Sequence, residues 1–304
     1  MKVKKLVLTC NLLIAALVLS GLFGINLAFG SASTTAEPTL QEWFNQNGYT
    51  LNVTTDETGI ETFPSGYYRL TILAEIAAYA PLNNLSWYLT SDEQLNYIFF
   101  GNGATGDVAY FMADETFGMC LGSPDGYFYT EAFRNKDEKD HALVFINPNA
   151  AGYIIAWEDL WKLGDADFQD FILAALTPVK VDVCYCPRTL NLKSKGRWIT
   201  AIIKLPEGYL TENVDISSVM LNRTVLADLK HYEVYDCGGL HLLVLKFNRT
   251  TVTELIKNSL RNAYCAKKFV EVSLIVTGKF LDGLPFQGIN KIKVIYFSFC
   301  CQKR

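Results

Sequence analysis

The stretch from Gly152 to Leu176, GYIIAWEDLWKLGDADFQDFILAAL, constrains this chain more than any other. Two apolar runs, Tyr153–Trp157 and Phe171–Leu176, enclose a short loop that carries Glu158, Asp159, Asp165, Asp167 and Asp170. The runs have the length and composition of buried strands. Two carboxylates roughly 5 Å apart repel by about 1 kcal/mol in water and about 3 kcal/mol at an effective dielectric near 20. A loop this acidic between buried strands therefore calls for a counter-charge. The expectation is a calcium-stabilised, secreted β-protein.

The ligands expected for calcium are Asp165, Asp167 and Asp170, with Glu158 and Asp159 approaching from the preceding strand. In extended backbone alternate side chains share a side, so Asp165 and Asp167 point one way while Phe168 anchors the loop in the core. Calcium takes 6–8 oxygens at about 2.3–2.6 Å, which carboxylates, carbonyls and water in one loop supply. The spacing is not that of an EF-hand, because no third Asp-Gly and no distal Glu follows Asp167. The bland alternative is a solvated acidic loop that caps a few backbone amides.

The strand pattern extends in both directions. Aromatic and β-branched runs recur at Tyr49–Thr54, Tyr67–Ala78, Leu85–Leu89, Tyr97–Phe100, Val108–Met112, Phe117–Leu121, Tyr127–Thr130 and Ala142–Ile146. Turn formers such as Pro64-Ser65-Gly66 and Pro124-Asp125-Gly126 separate them. Ala36–Gly48 reads as a short helix ahead of the strands, and Leu73–Tyr79 is open to either a strand or a helix. Arg134–Asp140 reads as a solvated charged loop.

Thr177-Pro178 breaks the pattern and opens a second strand set: Val179–Val183, Trp198–Leu205, Val219–Leu221, Leu242–Phe247, Phe269–Gly278 and Lys291–Phe297. Thr251 and Glu254 form a capping-box pair for a helix over Thr251–Leu260, and Asp282-Gly283 marks a hairpin. The fold class is therefore mainly β, two tandem antiparallel β-sandwiches, jelly-roll-like and then immunoglobulin-like. The domains read as 34–177 and 178–298, behind an N-terminal segment 1–33 and ahead of a tail, 299–304.

That N-terminal segment carries three lysines in Met1–Lys5, an apolar run from Leu6 to Phe29 and small residues at Gly30–Ser33. It reads as a signal peptide, with an uncleaved membrane anchor as the alternative. Asparagines in N-x-S/T tripeptides, Asn52, Asn84, Asn222 and Asn248, are glycosylation candidates that accord with export. Cys10 leaves with the signal; Cys120, Cys184, Cys186, Cys237, Cys265, Cys300 and Cys301 remain. Two disulfides among the middle four rank first, unpaired core cysteines second and a thiolate zinc site last, because Cys184-Tyr185-Cys186 lacks the C-x-x-C spacing.

Composition bounds the function classes. With 50% apolar and 13% aromatic residues, a formal charge of −4 and no basic cluster beyond the N-terminus, the 304-residue chain is globular and not a nucleic-acid binder. His141, His231 and His241 form no H-E-x-x-H, and neither a nucleophile elbow nor a P-loop is present, so no enzyme is expected. The expected role is structural or adhesive at the cell surface, with a surface glycan or another surface protein as partner. The membrane enters only through an uncleaved N-terminus. The alternative is a carbohydrate-binding module whose rings are Trp157, Trp161, Trp87 and Tyr88, and a glycoside hydrolase ranks below it.

The acidic stretch resembles the signature of a family of bacterial and archaeal surface-protein domains, domain of unknown function 4114. There an apolar strand leads into E-D-L and G-G-D-x-D-F-N-D. Here the motif reads Glu158-Asp159-Leu160, then Leu163-Gly164-Asp165-Ala166-Asp167-Phe168-Gln169-Asp170, preceded by Asp140-His141-Ala142-Leu143-Val144-Phe145. Leu163 stands for the first glycine and Gln169 for the asparagine. The resemblance covers Leu40–Leu176 and implies a β-sandwich, extracellular display and calcium binding without catalysis. The second unit is similar, through Leu190–Gly196 and Trp198–Leu205, to an accessory immunoglobulin-like sandwich of secreted prokaryotic proteins. That likeness implies a spacer role.

Overall fold

Alternation of buried and half-buried residues along Gly66–Glu75 sets the architecture of the first half, since one face of this strand meets a second sheet and the other meets a helix. The computed structural model describes residues 37–76, 78–101, 103–260 and 269–295. The signal or anchor segment, Cys10, Cys265, Cys300, Cys301 and the tail lie outside the described residues. No helix among the described residues is long and apolar enough to cross a membrane.

The first helix, α1 (Leu40–Gln46), is shorter than expected. Its start is fixed by a capping box in which Thr39 and Glu42 satisfy each other's backbone amides, leaving Pro38 outside. Nine strands follow: β1 (Gly66–Glu75), β2 (Asn84–Leu89), β3 (Asn96–Phe99), β4 (Val108–Ala113), β5 (Phe117–Ser123), β6 (Gly126–Tyr129), β7 (Ala142–Ile146), β8 (Gly152–Trp157) and β9 (Phe171–Leu176). They form a five-stranded sheet, β4-β1-β9-β8-β7, and a four-stranded sheet, β3-β2-β5-β6, with antiparallel neighbours throughout. Tyr68, Leu70, Ile72, Trp157 and Leu173 of the larger sheet share one buried cluster with Leu85, Phe117, Met119 and Leu121 of the smaller, so the two sheets pack as a sandwich. On the opposite face of the larger sheet, Leu40, Trp43 and Phe44 of α1 bury Phe145, Ile154, Ile172 and Ala174.

One local expectation fails here for an identifiable reason, and one run that the sequence left open is decided. Tyr49–Thr54 forms no strand: Asn52 Oδ1 accepts from the amides of Thr54 and Thr55, which bends the chain, while Leu51 packs under α1. The Ala-rich run after Leu73 continues β1 to Glu75, because pairing with β9 outweighs helix propensity.

The second half contributes β10 (Val179–Lys180), β11 (Asp182–Cys186), β12 (Thr189–Asn191), β13 (Trp198–Lys204), β14 (Val214–Leu221), β15 (Val225–Leu226), β16 (Tyr232–Cys237), β17 (Leu240–Asn248), helix α2 (Arg249–Ser259), β18 (Phe269–Phe280) and β19 (Pro285–Ile295). One sheet runs β10-β19-β18-β14-β15 and the other β11-β13-β17-β16, with a single hydrophobic cluster between them. Both β10 and β12 pair with β19 in parallel, so this half is not purely antiparallel. The chain runs beside β19, crosses to the other sheet as β11 and returns. Helix α2 begins two residues before Thr251, because the cap is Asn248, whose Oδ1 accepts from the Thr251 amide. The strand β16 was not foreseen, since every residue in it is exposed and no buried face marks it.

Hydrophobic clusters of the two halves share no member, yet polar contacts join them. Tyr67 donates its amide to Gln287 Oε1 at 3.1 Å, and the Tyr110 hydroxyl donates to the Gly283 carbonyl at 2.8 Å.

Cysteines and sequons take positions that only packing decides. Cys184, Cys186 and Cys237 are exposed free thiols rather than disulfide partners. Cys120 is buried and free, with burial pushing its thiol up to about 12. The metal-capable clusters among the described residues contain no cysteine. Asn52 and Asn248 are exposed, whereas Asn84 and Asn222 spend their side-chain oxygens on the amides of Gly101 and Ile275.

Candidate metal centre

The register of β8 and β9 builds the site. Trp157 faces Phe171 as the last pair of the ladder, which brings Glu158 and Asp159, just past β8, against Asp170, just before β9. Asp170 Oδ2 accepts from the Asp159 amide at 2.9 Å. All three carboxylate residues are at most 5% exposed. Oxygens of Glu158, Asp159 and Asp170 lie within 4.8 Å of one another, as do oxygens of Glu158, Asp165 and Asp167. The five residues singled out from the sequence are thus brought together in two sets that share Glu158. Asp165 is exposed and Asp167 half-buried.

The loop is not extended as expected. Lys162, Leu163, Ala166 and Phe168 all have positive φ, so the segment winds tightly and the simple alternation of Asp165 and Asp167 against Phe168 does not apply. Winding aims amides inward: Leu160 donates to Glu158 Oε1 at 3.2 Å and Asp167 to Glu158 Oε2 at 3.3 Å. Gly164 permits this path. Its φ is +35°, and a Cβ there would meet the Leu160 side chain at 2.5 Å and Glu158 Oε1 at 2.9 Å. Leu163, at φ +68°, holds a left-handed conformation at the position where the family signature has glycine. Phe168 is half-buried against the cluster under α1 and does anchor the loop.

Two further residues belong to the site and were not singled out from sequence. Asn83, 2% exposed, donates its Nδ2 to Asp159 Oδ2 at 2.8 Å, and its own Oδ1 has no hydrogen-bond partner. Glu75 closes β1 opposite Phe171, and its Oε1 is likewise buried without a partner. The available signal for Glu75 was a lone carboxylate inside the apolar run Leu73–Ala78. Asn83 gave no local signal beyond lying in a turn. Gln169 is fully buried, with Nε2 on Asp167 Oδ2 at 2.5 Å and Oε1 unpartnered. Each buried polar atom left unpaired costs about 1–3 kcal/mol.

Electrostatics reflect this crowding. Burial, reinforced by Asp165 and Asp167, pushes the Glu158 carboxyl up to about 7. Burial, with Asp159, Glu158 and Asp167, pushes Asp170 up to about 8. Burial and the charge of Asp159 raise Glu75 to about 7, and burial also raises Asp159. Among the described residues no lysine or arginine pairs with any of these groups. Hard oxygen donors converging without an internal cation are the donor set of a hard metal ion rather than a thiophilic one.

Around the cluster the loop is tied down by polar contacts. Ser123 donates its hydroxyl to the Asp159 carbonyl at 2.7 Å, and Trp161 donates its amide to Asp125 Oδ2 at 3.1 Å. Asp137 accepts from the Lys162 amide at 3.0 Å and pairs with His141 Nε2 at 3.0 Å. His141 Nδ1 meets the Glu158 carbonyl at 3.1 Å, and its ring stacks on Phe128 at 4.0 Å. The run Arg134–Asp140 is therefore not merely solvated, because Asn135 and Asp137 turn inward to satisfy backbone and imidazole groups.

The rings expected to form a sugar platform do not form one. Trp157 and Tyr88 are fully buried and Trp87 packs in the sandwich core, because their strands point them inward or under neighbouring rings. Of those four only Trp161 is exposed.

Residues 83–176 match the model of a family described as a domain of unknown function, DUF4114. The matched segment starts at Asn83 and includes the acidic residues of the β8–β9 loop, while Glu75 lies upstream of it. No curated protein and no solved structure matches the chain.

Proposed function

We propose that this chain is a secreted or cell-surface structural or adhesive protein whose first sandwich, residues 34–177, is locked by calcium, with residues 178–298 as a spacer sandwich and no catalytic role. The observation that carries the reading is the burial of Glu158, Asp159 and Asp170 together without a cationic partner among the described residues. A bound dication offsets their mutual repulsion and the cost of removing them from water. The cluster joins the ends of β1, β8 and β9 to the entry of β2, so occupancy rigidifies the contact between the two sheets. The match to a domain of unknown function accords with this reading without adding an activity.

The test is thermal melting of the purified protein with calcium and with chelator, repeated for Asp167→Ala. A calcium-dependent rise in melting temperature that shrinks in the variant supports the reading. An identical melt in calcium and chelator sinks it.

One observation favours carbohydrate recognition as a second reading, on rings other than those expected. Tyr97 and Phe100 stack at 5.5 Å with an interplanar angle of 22°, both exposed, and the Tyr97 hydroxyl lies 3.4 Å from that of exposed Tyr127. Exposed aromatic faces of this kind suit the apolar faces of sugar rings. Glycan-array binding that is lost in Tyr97→Ala and Tyr127→Ala, with melting unchanged, supports it; an empty array with folded protein rejects it.

A further inference from the structure

We infer that the β8–β9 loop holds two cations, with Glu158 as the carboxylate shared between them. This rests on the calcium reading above and goes beyond it in the number of ions, the ligand set and the part of the fold each ion fastens. The inner position lies among Glu158, Asp159 and Asp170, and the outer among Glu158, Asp165 and Asp167, with the oxygens of each set within 4.8 Å. Glu158 is suited to the shared place. Each of its oxygens accepts one backbone amide, from Leu160 and from Asp167, and a carboxylate oxygen has a second lone pair to offer.

A cluster of carboxylates alone would not carry this inference; the buried amides beside it do. Asn83 is 2% exposed, is held against the inner set by its bond to Asp159 Oδ2, and has an Oδ1 that accepts from nothing. Gln169, 0% exposed, is held against the outer set by its bond to Asp167 Oδ2, and its Oε1 is equally unused. Amide oxygens are regular calcium ligands, and each set has one in reserve. Glu75 adds a buried, unpartnered Oε1 at the end of β1, whose next residue, Ile76, donates its amide to the Asp170 carbonyl at 3.0 Å. Charge points the same way: with the five carboxyls of the two sets ionised, one dication leaves three negative charges uncompensated, whereas two dications leave one.

The two ions differ in setting. The inner one is enclosed, and its ligands come from both sheets, with Asn83 at the entry to β2 and Asp159 and Asp170 flanking β8 and β9. The outer one, at exposed Asp165, keeps water and fastens only the loop itself.

Calorimetric titration of the chelator-treated full chain with calcium chloride, together with a direct metal count after equilibrium dialysis, tests the inference. Two calcium ions per chain are expected. Asp167→Ala should leave one ion. Asn83→Ala should weaken one ion at least tenfold and leave the other, while Asn83→Asp, which restores an oxygen, should keep two. Circular dichroism verifies that each variant is folded. One ion per wild-type chain, weakened by both Asp167→Ala and Asn83→Ala, overturns the shared-carboxylate arrangement but leaves the calcium lock standing. No bound calcium overturns both.

Discussion

Asn83 donates its side-chain amide to Asp159 at 2.8 Å, and in doing so connects the entry of the four-stranded sheet to the exit of β8 in the five-stranded one. The bond spans 76 positions of sequence. Both residues are buried, so the contact is shielded from water and keeps its strength in salt. It makes the acidic cluster a junction between sheets rather than an ornament of one loop.

Replacement of Asp170 by Asn removes a carboxyl that is held largely protonated near neutral pH without a cation and that a cation needs deprotonated, while leaving an oxygen that can accept the Asp159 amide. In chelator the variant is expected to melt at the same temperature as the parent or a few degrees higher. Its calcium-dependent gain, about 2.7 kcal/mol for the parent at a hundredfold excess over Kd, should fall by more than half. Scanning calorimetry in both conditions measures this. A variant with the full gain removes Asp170 from the ligand set.

Stability in chelator should depend on pH in the sense opposite to that of a salt-bridged protein. Glu75 and Glu158 are raised to about 7 and Asp170 to about 8 in the folded chain, whereas unfolded carboxyls titrate near 4. Between those limits the folded state binds more protons, so this contribution is fully present below about pH 4 and is lost as pH rises through 7 to 8. Calcium takes the deprotonated carboxylates, so its affinity should rise over the same interval. Chemical denaturation at pH 5, 6.5 and 8, with and without calcium, tests both signs.

Gly164→Ala should destabilise the protein by about 1–3 kcal/mol, the range for a residue held in a sparsely populated conformation. The added Cβ would press on Leu160 and on Glu158 Oε1, so calcium affinity should fall as well. Gly106→Ala is the control: its φ is also positive, at +95°, but nothing lies within 4 Å of the new atom. Calcium affinity should be untouched in the control and reduced in Gly164→Ala; equal affinity in the two would show that the loop path does not position Glu158.

Phe44→Ala should cost about 3–5 kcal/mol, as for a large buried ring. Phe44 is fully buried and meets Phe145 edge-to-face at 5.2 Å, on the side of the larger sheet away from the sandwich core. Urea denaturation measures the loss. A loss below about 1 kcal/mol would mean that α1 rests on the sheet without contributing to its stability.

Much of the fold is written in local pattern. Alternation and turn formers place β2 and β4 to β9 within a residue or two, and Asp282-Gly283 gives the hairpin between β18 and β19. Where the pattern misled, a single side chain intervened, since Asn52 bends a run with strand composition; where it left the choice open, pairing with β9 held Leu73–Glu75 in a strand despite its alanines. Edge strand β16 has no buried face, so hydrophobic periodicity could not mark it.

For the site, sequence by itself determined that Glu158, Asp159, Asp165, Asp167 and Asp170 share one loop between two apolar strands, because neighbours in a chain remain neighbours in space. Tertiary structure alone decided which of them are desolvated and what stands beside them. Asp159 and Asp170 are buried while Asp165 is not, and Asn83 and Glu75 arrive from other strands. Desolvation depends on what packs over a group, and that cover comes from residues far away in sequence. The carboxylates were legible from composition; their depth, their crowding and their amide neighbours existed only once the two sheets had closed on each other.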